Sequence, residues 1–196
     1  TQLAQIESLR GILSPGLLGS FVLLGVFPFI ARRIVDVVRR RQVYARWAGV
    51  RPRSFDRNLI VIGAGAGGLV SAYIAATVKA KVTLIEAHKM GGDCLNYGCV
   101  PSKALIRSAK LAHQMRHGER YGLASTEPAF SFQAVMRRIQ DVIRAIEPHD
   151  SVERYTGLGV EVLQGYAKLT NPWTVEIALN GGGTQTLTAR SIVIAA

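Results

Sequence analysis

Leu59-Ile60-Val61-Ile62-Gly63-Ala64-Gly65-Ala66-Gly67-Gly68 is the stretch that decides the fold. Four apolar residues in a row read as a short strand buried on both faces, as in a parallel sheet. The strand runs directly into a G-x-G-x-x-G. A small-residue helix follows over residues 69–80 (LVSAYIAATVKA), and then a second strand, Lys81-Val82-Thr83-Leu84-Ile85-Glu86. Each glycine has a task in such a unit. Gly63 permits the tight turn, Gly65 lets the backbone approach a pyrophosphate, and Gly68 lets helix and strand pack closely. The unpaired amides at the helix N-terminus face the phosphates. Glu86 closes the second strand, where a carboxylate accepts from ribose hydroxyls and disfavours a 2′-phosphate. The order strand, glycines, helix, strand, acid within thirty residues predicts an α/β, Rossmann-like dinucleotide-binding domain.

Immediately downstream lies Gly91-Gly92-Asp93-Cys94-Leu95-Asn96-Tyr97-Gly98-Cys99-Val100-Pro101-Ser102-Lys103. These are the chain's two cysteines. Two sulfurs so close in sequence make neither a secreted disulfide framework nor a tetrahedral zinc site, which leaves a catalytic pair. Residues five apart in a regular helix have Cα atoms roughly 8–9 Å apart, whereas a disulfide needs them within about 7 Å. Bridging them therefore requires an irregular helix start. Gly98 loosens the backbone there, and Pro101 cannot donate to the carbonyl of Tyr97. A helix N-terminus also favours a thiolate.

This cysteine run resembles the active-site signature of the pyridine nucleotide–disulfide oxidoreductases. The resemblance covers residues 58–196, and its wording, with Ile146-Glu147-Pro148-His149-Asp150-Ser151-Val152-Glu153-Arg154-Tyr155, is closest to the mercuric reductase-like and dihydrolipoamide dehydrogenase-like members. It implies FAD as cofactor, with Gly63, Gly65, Gly68, Glu86, Gly92 and Lys103 as contacts, and NAD(P)H as electron donor. It implies that Cys99 is the flavin-proximal sulfur and Cys94 the interchange thiol that attacks the substrate. Lys103 then lies by flavin N5. Many members carry threonine where this chain has Asp93. The resemblance further implies a homodimer in the intact protein and a small disulfide or mercuric ion as acceptor. A membrane-anchored flavoprotein with a sensing or binding role is the alternative function.

Upstream the text differs. Gly11 to Ala31 holds no charged residue and is bracketed by Arg10 and Arg32-Arg33. About 20 helical residues rise 30 Å, the thickness of a hydrocarbon core, so this run predicts a transmembrane helix. The net charge is +11, and nine arginines between Arg32 and Arg57, against Asp36 and Asp56, supply most of it. By the positive-inside rule the arginine-rich side is cytoplasmic, and the segment suits a helix on anionic lipid. The charge is not interleaved with aromatics over a folded face, which argues against nucleic acid as a partner. The expected organisation is residues 1–57, a membrane helix with a basic juxtamembrane segment, and 58–196, an FAD domain on the cytoplasmic side. A chain starting at Thr1 and stopping within Ser191-Ile192-Val193-Ile194-Ala195-Ala196 reads as part of a longer protein. Residues 1–57 resemble the tail of a SNARE-associated (DedA-like) membrane domain.

The remaining segments predict scaffold. Residues 103–117 read as a helix. His113 and His117 lie four apart on it with no acidic companion, and are expected to be solvated rather than metal ligands. Phe132, Val135, Met136, Ile139, Val142, Ile143 and Ile146 recur at three-and-four spacing, predicting a core-facing helix stopped by Pro148. His149-Asp150 reads as a polar turn. From Val160 the pattern alternates: residues 160–169, 173–179 and 186–189 predict an antiparallel meander, followed by a separate return strand, residues 191–196.

Overall fold

The computed structural model describes residues 15–196 and separates after Val50. In the N-terminal unit, α1 (Pro15–Tyr44) is a helix of 30 residues with Pro28 inside it. Among the described residues no helix is long and apolar enough to cross a membrane. The transmembrane expectation and the membrane anchoring built on it therefore find no support among the described residues. Gly11 to Ser14 of the anticipated span lie outside the described residues. The described charge-free part of α1, Pro15 to Ala31, rises about 25 Å at 1.5 Å per residue. It also contains Pro15, Gly16, Gly19, Gly25 and Pro28. The helix then continues without a break through Arg32, Arg33 and Arg39 to Arg41.

The second unit is built on five strands: β1 (Arg57–Ile62), β2 (Val82–Glu86), β3 (Val160–Asn171), β4 (Thr174–Leu179) and β5 (Thr184–Ile194). Helix α2 (Ala66–Thr77) joins β1 to β2, the crossover connection that a parallel pair needs. After β2 come α3 (Gly92–Asn96), α4 (Cys99–Arg116), α5 (Phe132–Ile146) and α6 (Val152–Gly157). β1 pairs in parallel with β2 and β5, and β2 in parallel with β3, giving the order β3-β2-β1-β5. β4 pairs antiparallel with the far halves of β3 and β5, so the pairings close into a ring.

The segments 186–189 and 191–196 are not separate strands. β5 runs unbroken, its first half in the meander with β4 and its second half beside β1. β3 is shared in the same way: Val160 to Gln164 pair with β2, and Gly165 onward with β4.

The sheet is apolar on both faces because both are covered. On one, Val61, Val82, Leu84 and Val160 pack against Leu69, Ala72 and Ala76 of α2 and Tyr155 of α6. On the other, Ile60 and Ile85 meet Val175, Ile177, Leu187 and Ala189 of the meander. Ile60, Leu84 and Ile177 are fully buried, and each such side chain contributes about 1.5–3 kcal/mol by leaving water. The predicted stripe on α5 is covered only in part. Ile139 is buried, but Phe132 and Met136 are exposed.

One polar cluster braces the N-terminal edge of the parallel sheet. Thr83, fully buried, donates to Glu161 Oε2 at 2.6 Å. Arg57 Nη2 reaches the same oxygen at 2.7 Å, and Arg57 Nε donates to Thr83 Oγ1 at 2.7 Å. Burial works to raise the Glu161 carboxyl, but the hydrogen bonds from Thr83 and Arg57 and the guanidinium charge outweigh it and hold the group below its ordinary range. A carboxylate depressed on folding stabilises above its unfolded pKa, and that contribution is lost as pH falls through its folded value. Glu161→Gln is expected to cost about 1 kcal/mol at neutral pH, a modest figure because the Glu161 side chain is 38% exposed. Urea denaturation across pH checks this: the gap between wild type and variant should close below about pH 4.

Candidate functional site

The first βα turn rests on one close approach. A Cβ built on Gly68 would stand 1.8 Å from the carbonyl oxygen of Gly63, so no other residue lets α2 sit this near the end of β1. Gly65 is different. Its φ of −75° is open to any residue, and its Cβ would meet nothing nearer than Ala195 O at 4.0 Å. A side chain there would fill space facing the cleft. This is the cradle a pyrophosphate needs at a helix N-terminus.

Glu86 completes the turn. Its Oε2 accepts from the Ala64 N–H at 2.7 Å and its Oε1 from the His88 N–H at 2.8 Å. The carboxylate is thereby fixed at the C-terminal end of β2. Each oxygen keeps a lone pair for a hydroxyl, the requirement for gripping a ribose diol.

Gly92 packs against this turn, and the two cysteines follow from it. A Cβ on Gly92 would lie 2.7 Å from Gly65 Cα. The chain then makes the single turn and a half of α3, breaks at Tyr97 and Gly98, and restarts as α4 at Cys99. The break is held by the Asp93 carbonyl, which accepts from both Tyr97 N–H at 2.9 Å and Gly98 N–H at 2.6 Å. The first bond within α4 is Ser102 N–H to Gly98 O at 3.1 Å. This is the irregular start that the spacing of Cys94 and Cys99 requires.

The two thiols are not equivalent. Cys94 is half-buried and Cys99 exposed. The Cys94 thiol is pushed above its ordinary value, chiefly because it hydrogen-bonds to Cys99, with burial and repulsion from Cys99 adding to this. The Cys99 backbone N–H and the charge of Lys103 pull the other way. Lys103 stands one helical turn after Cys99, on the same side of α4.

A cleft of about 560 Å³ gathers most of the expected residues: Gly63, Gly65, Glu86, Gly92 and Cys94 line it. Gly68 lies beneath the turn and shapes it without lining it. Cys99 and Lys103, on α4, are not in the lining. The donor set fits FAD: a glycine cradle, a fixed carboxylate for the ribose, and a sulfur within the same cleft. Two lining residues escaped the sequence reading. His88 Nε2 and the Tyr166 hydroxyl lie 3.1 Å apart, their rings edge-on at 5.5 Å, and both line the cleft. The nearest signal was the alternation along β3, which places Tyr166 on one face but does not name a partner 78 residues away. At the C-terminal end of α4, the rings of His113 and the capping residue His117 lie 4.3 Å apart.

Comparison with known proteins agrees with this geometry. Residues 57–196 match the model of the family described as pyridine nucleotide-disulphide oxidoreductase. A dihydrolipoyl dehydrogenase of Zymomonas mobilis is 38% identical over 139 residues, covering 70% of this chain and 29% of that protein. A mercuric reductase of Streptomyces lividans is 35% identical over 143 residues, covering 70% of this chain and 29% of the relative. A dihydrolipoamide dehydrogenase of Chaetomium thermophilum is 32% identical over 188 residues, covering 94% of this chain and 36% of the relative. The chain thus spans about a third of the length of these relatives. The expected tie of residues 1–57 to a DedA-like domain is not supported: the family match begins at residue 57, and an alignment over 94% of the chain is to a dihydrolipoamide dehydrogenase.

The two glycines separate fold from ligand. Gly65→Ala is expected to leave the melting temperature of the flavin-free protein unchanged while weakening FAD binding about tenfold or more, the scale of one lost close approach. Gly68→Ala, by contrast, should lower the melting temperature itself, because the added methyl meets backbone. Thermal melts and flavin titration of both variants check the pair.

Proposed function

This chain belongs to the pyridine nucleotide-disulphide oxidoreductase family, and we propose that it carries the FAD-binding and disulfide half of a flavoprotein that passes electrons from NAD(P)H to a disulfide or a mercuric ion. FAD and NAD(P)H are the cofactors of this family. The observation that carries the reading is the position of Cys94: it lines the same cleft as the glycine cradle.

Bound FAD supplies two-electron transfer between a nicotinamide and a sulfur. The residues of this chain do the rest. Gly63, Gly65 and the N-terminal amides of α2 receive the pyrophosphate, and Glu86 receives the ribose hydroxyls. Two electrons entering the Cys94–Cys99 disulfide break the S–S bond and leave one thiol and one thiolate. The proton belongs on Cys94, whose thiol is raised by its bond to Cys99, and the negative charge on Cys99 at the start of α4. Lys103, one turn on, adds a positive charge beside that thiolate. Cys94, once deprotonated, attacks the acceptor: a small disulfide, through a mixed disulfide that Cys99 resolves, or a soft metal ion held as a thiolate complex. We further propose that the intact protein works as a homodimer.

Anaerobic reductive titration of the full-length protein tests the couple. Two electrons per FAD are expected to produce a long-wavelength absorbance band from Cys99 thiolate beside oxidised flavin, and Cys99→Ser should abolish it. Direct bleaching of the flavin with no such band in the wild type would falsify the disulfide reading.

A further inference from the structure

Asp93 carries a charge that the chemistry above does not use. It lines the cleft together with Gly63, Gly65 and Gly92, and its side chain is exposed there. Its place is set by backbone contacts: Gly92 lies against Gly65, and the Asp93 carbonyl is tied to the Tyr97 and Gly98 amides. The backbone of Asp93 is thereby held beside the glycine turn, and its exposed carboxylate lines the same cleft.

The charged groups around it are engaged elsewhere. Lys89 Nζ lies 5.4 Å from the centre of the Tyr97 ring. The His88 ring meets Tyr166. The Glu86 carboxylate, a second negative charge in the same cleft, accepts from Ala64 and His88. Among the described residues no ion pair is made by Asp93.

We propose that Asp93 sets flavin affinity by like-charge repulsion: its carboxylate opposes the pyrophosphate that the Gly63–Gly65 turn receives, so flavin is held less tightly than a neutral residue would allow. The inference rests on the FAD reading given above. Its consequence is that flavin retention depends on the cations present, because mobile ions screen the repulsion between two groups that both face the open cleft.

Titration of FAD into the full-length, flavin-stripped protein tests it, with flavin fluorescence as the signal and potassium chloride as the variable. Asp93→Asn is isosteric and is expected to bind FAD about tenfold more tightly at low salt, the scale of one like charge a few ångströms away in a partly hydrated cleft. The gap between variant and wild type should narrow as salt rises. Asp93→Glu should follow the wild type, and Asp93→Ser should follow Asp93→Asn, which guards against an effect peculiar to the amide. Equal or weaker binding by both neutral variants overturns the inference, as does a gap that salt does not change. If none of the four proteins binds FAD, it is the flavin reading that falls. FAD binding that is indifferent to residue 93 removes the repulsion alone.

Discussion

The contact between Gly68 and the carbonyl of Gly63 is the constraint on which the rest of the site depends. Because nothing stands on Gly68, α2 can begin immediately above the end of β1, with its free amides directed into the cleft. That closeness in turn brings the Ala64 N–H within 2.7 Å of Glu86 on the neighbouring strand. The parallel register of Ile62 with Ile85 is what sets those two strand ends level. A carboxylate, a helix terminus and a glycine cradle are thus fixed by one steric permission, before any ligand contributes.

The cysteines are placed by a second, dependent contact. Gly92 lies on Gly65, so α3 starts from the cradle itself and delivers Cys94 into the cleft within one turn. The break at Gly98, whose ψ of −100° no continuing helix allows, then redirects the chain so that Cys99 can sit next to Cys94. Pro101 suits the third position of the new helix, where its missing N–H would have no intrahelical partner. The asymmetry of the thiols comes from the same break. Cys94 is half-buried within the first short helix, and Cys99 lies exposed at the start of the next.

Where local chemistry alone decides a conformation, the sequence was legible. The glycine turn, the two apolar strands around it, the terminal Glu86 and the irregular cysteine helix are all fixed by neighbours within thirty residues. What escaped depends on distant partners. β3 and β5 each serve two sheets, and no local pattern separates a strand that changes partners at Gly165 from one that ends there. The stripe on α5 has the right period for a buried helix, but only Ile139 finds full cover. The apolar run before Arg32 met the length of a membrane span on composition. Yet its described part contains proline and glycine and merges into an arginine-rich helix, and among the described residues no helix is long and apolar enough to cross a membrane. The pairing of His88 with Tyr166 joins a loop to a strand far along the chain, which alternation cannot encode.

That pairing also explains why the meander belongs to the site and not only to the core. β4 contributes Val175 and Ile177 to the far face of the sheet, but the hairpin that carries it also reaches forward. Asn180, in the turn after β4, donates to the carbonyl of Ala87, and its own N–H bonds to Gln164 at the point where β3 changes sheets. Tyr166, two residues further along β3, meets His88. The loop that follows Glu86 is therefore held from both ends: by the carboxylate it embraces and by the hairpin that crosses over it. Loosening the meander frees the segment whose His88 N–H orients Glu86, so packing beneath the sheet and the set of the Glu86 carboxylate above it are one mechanical system.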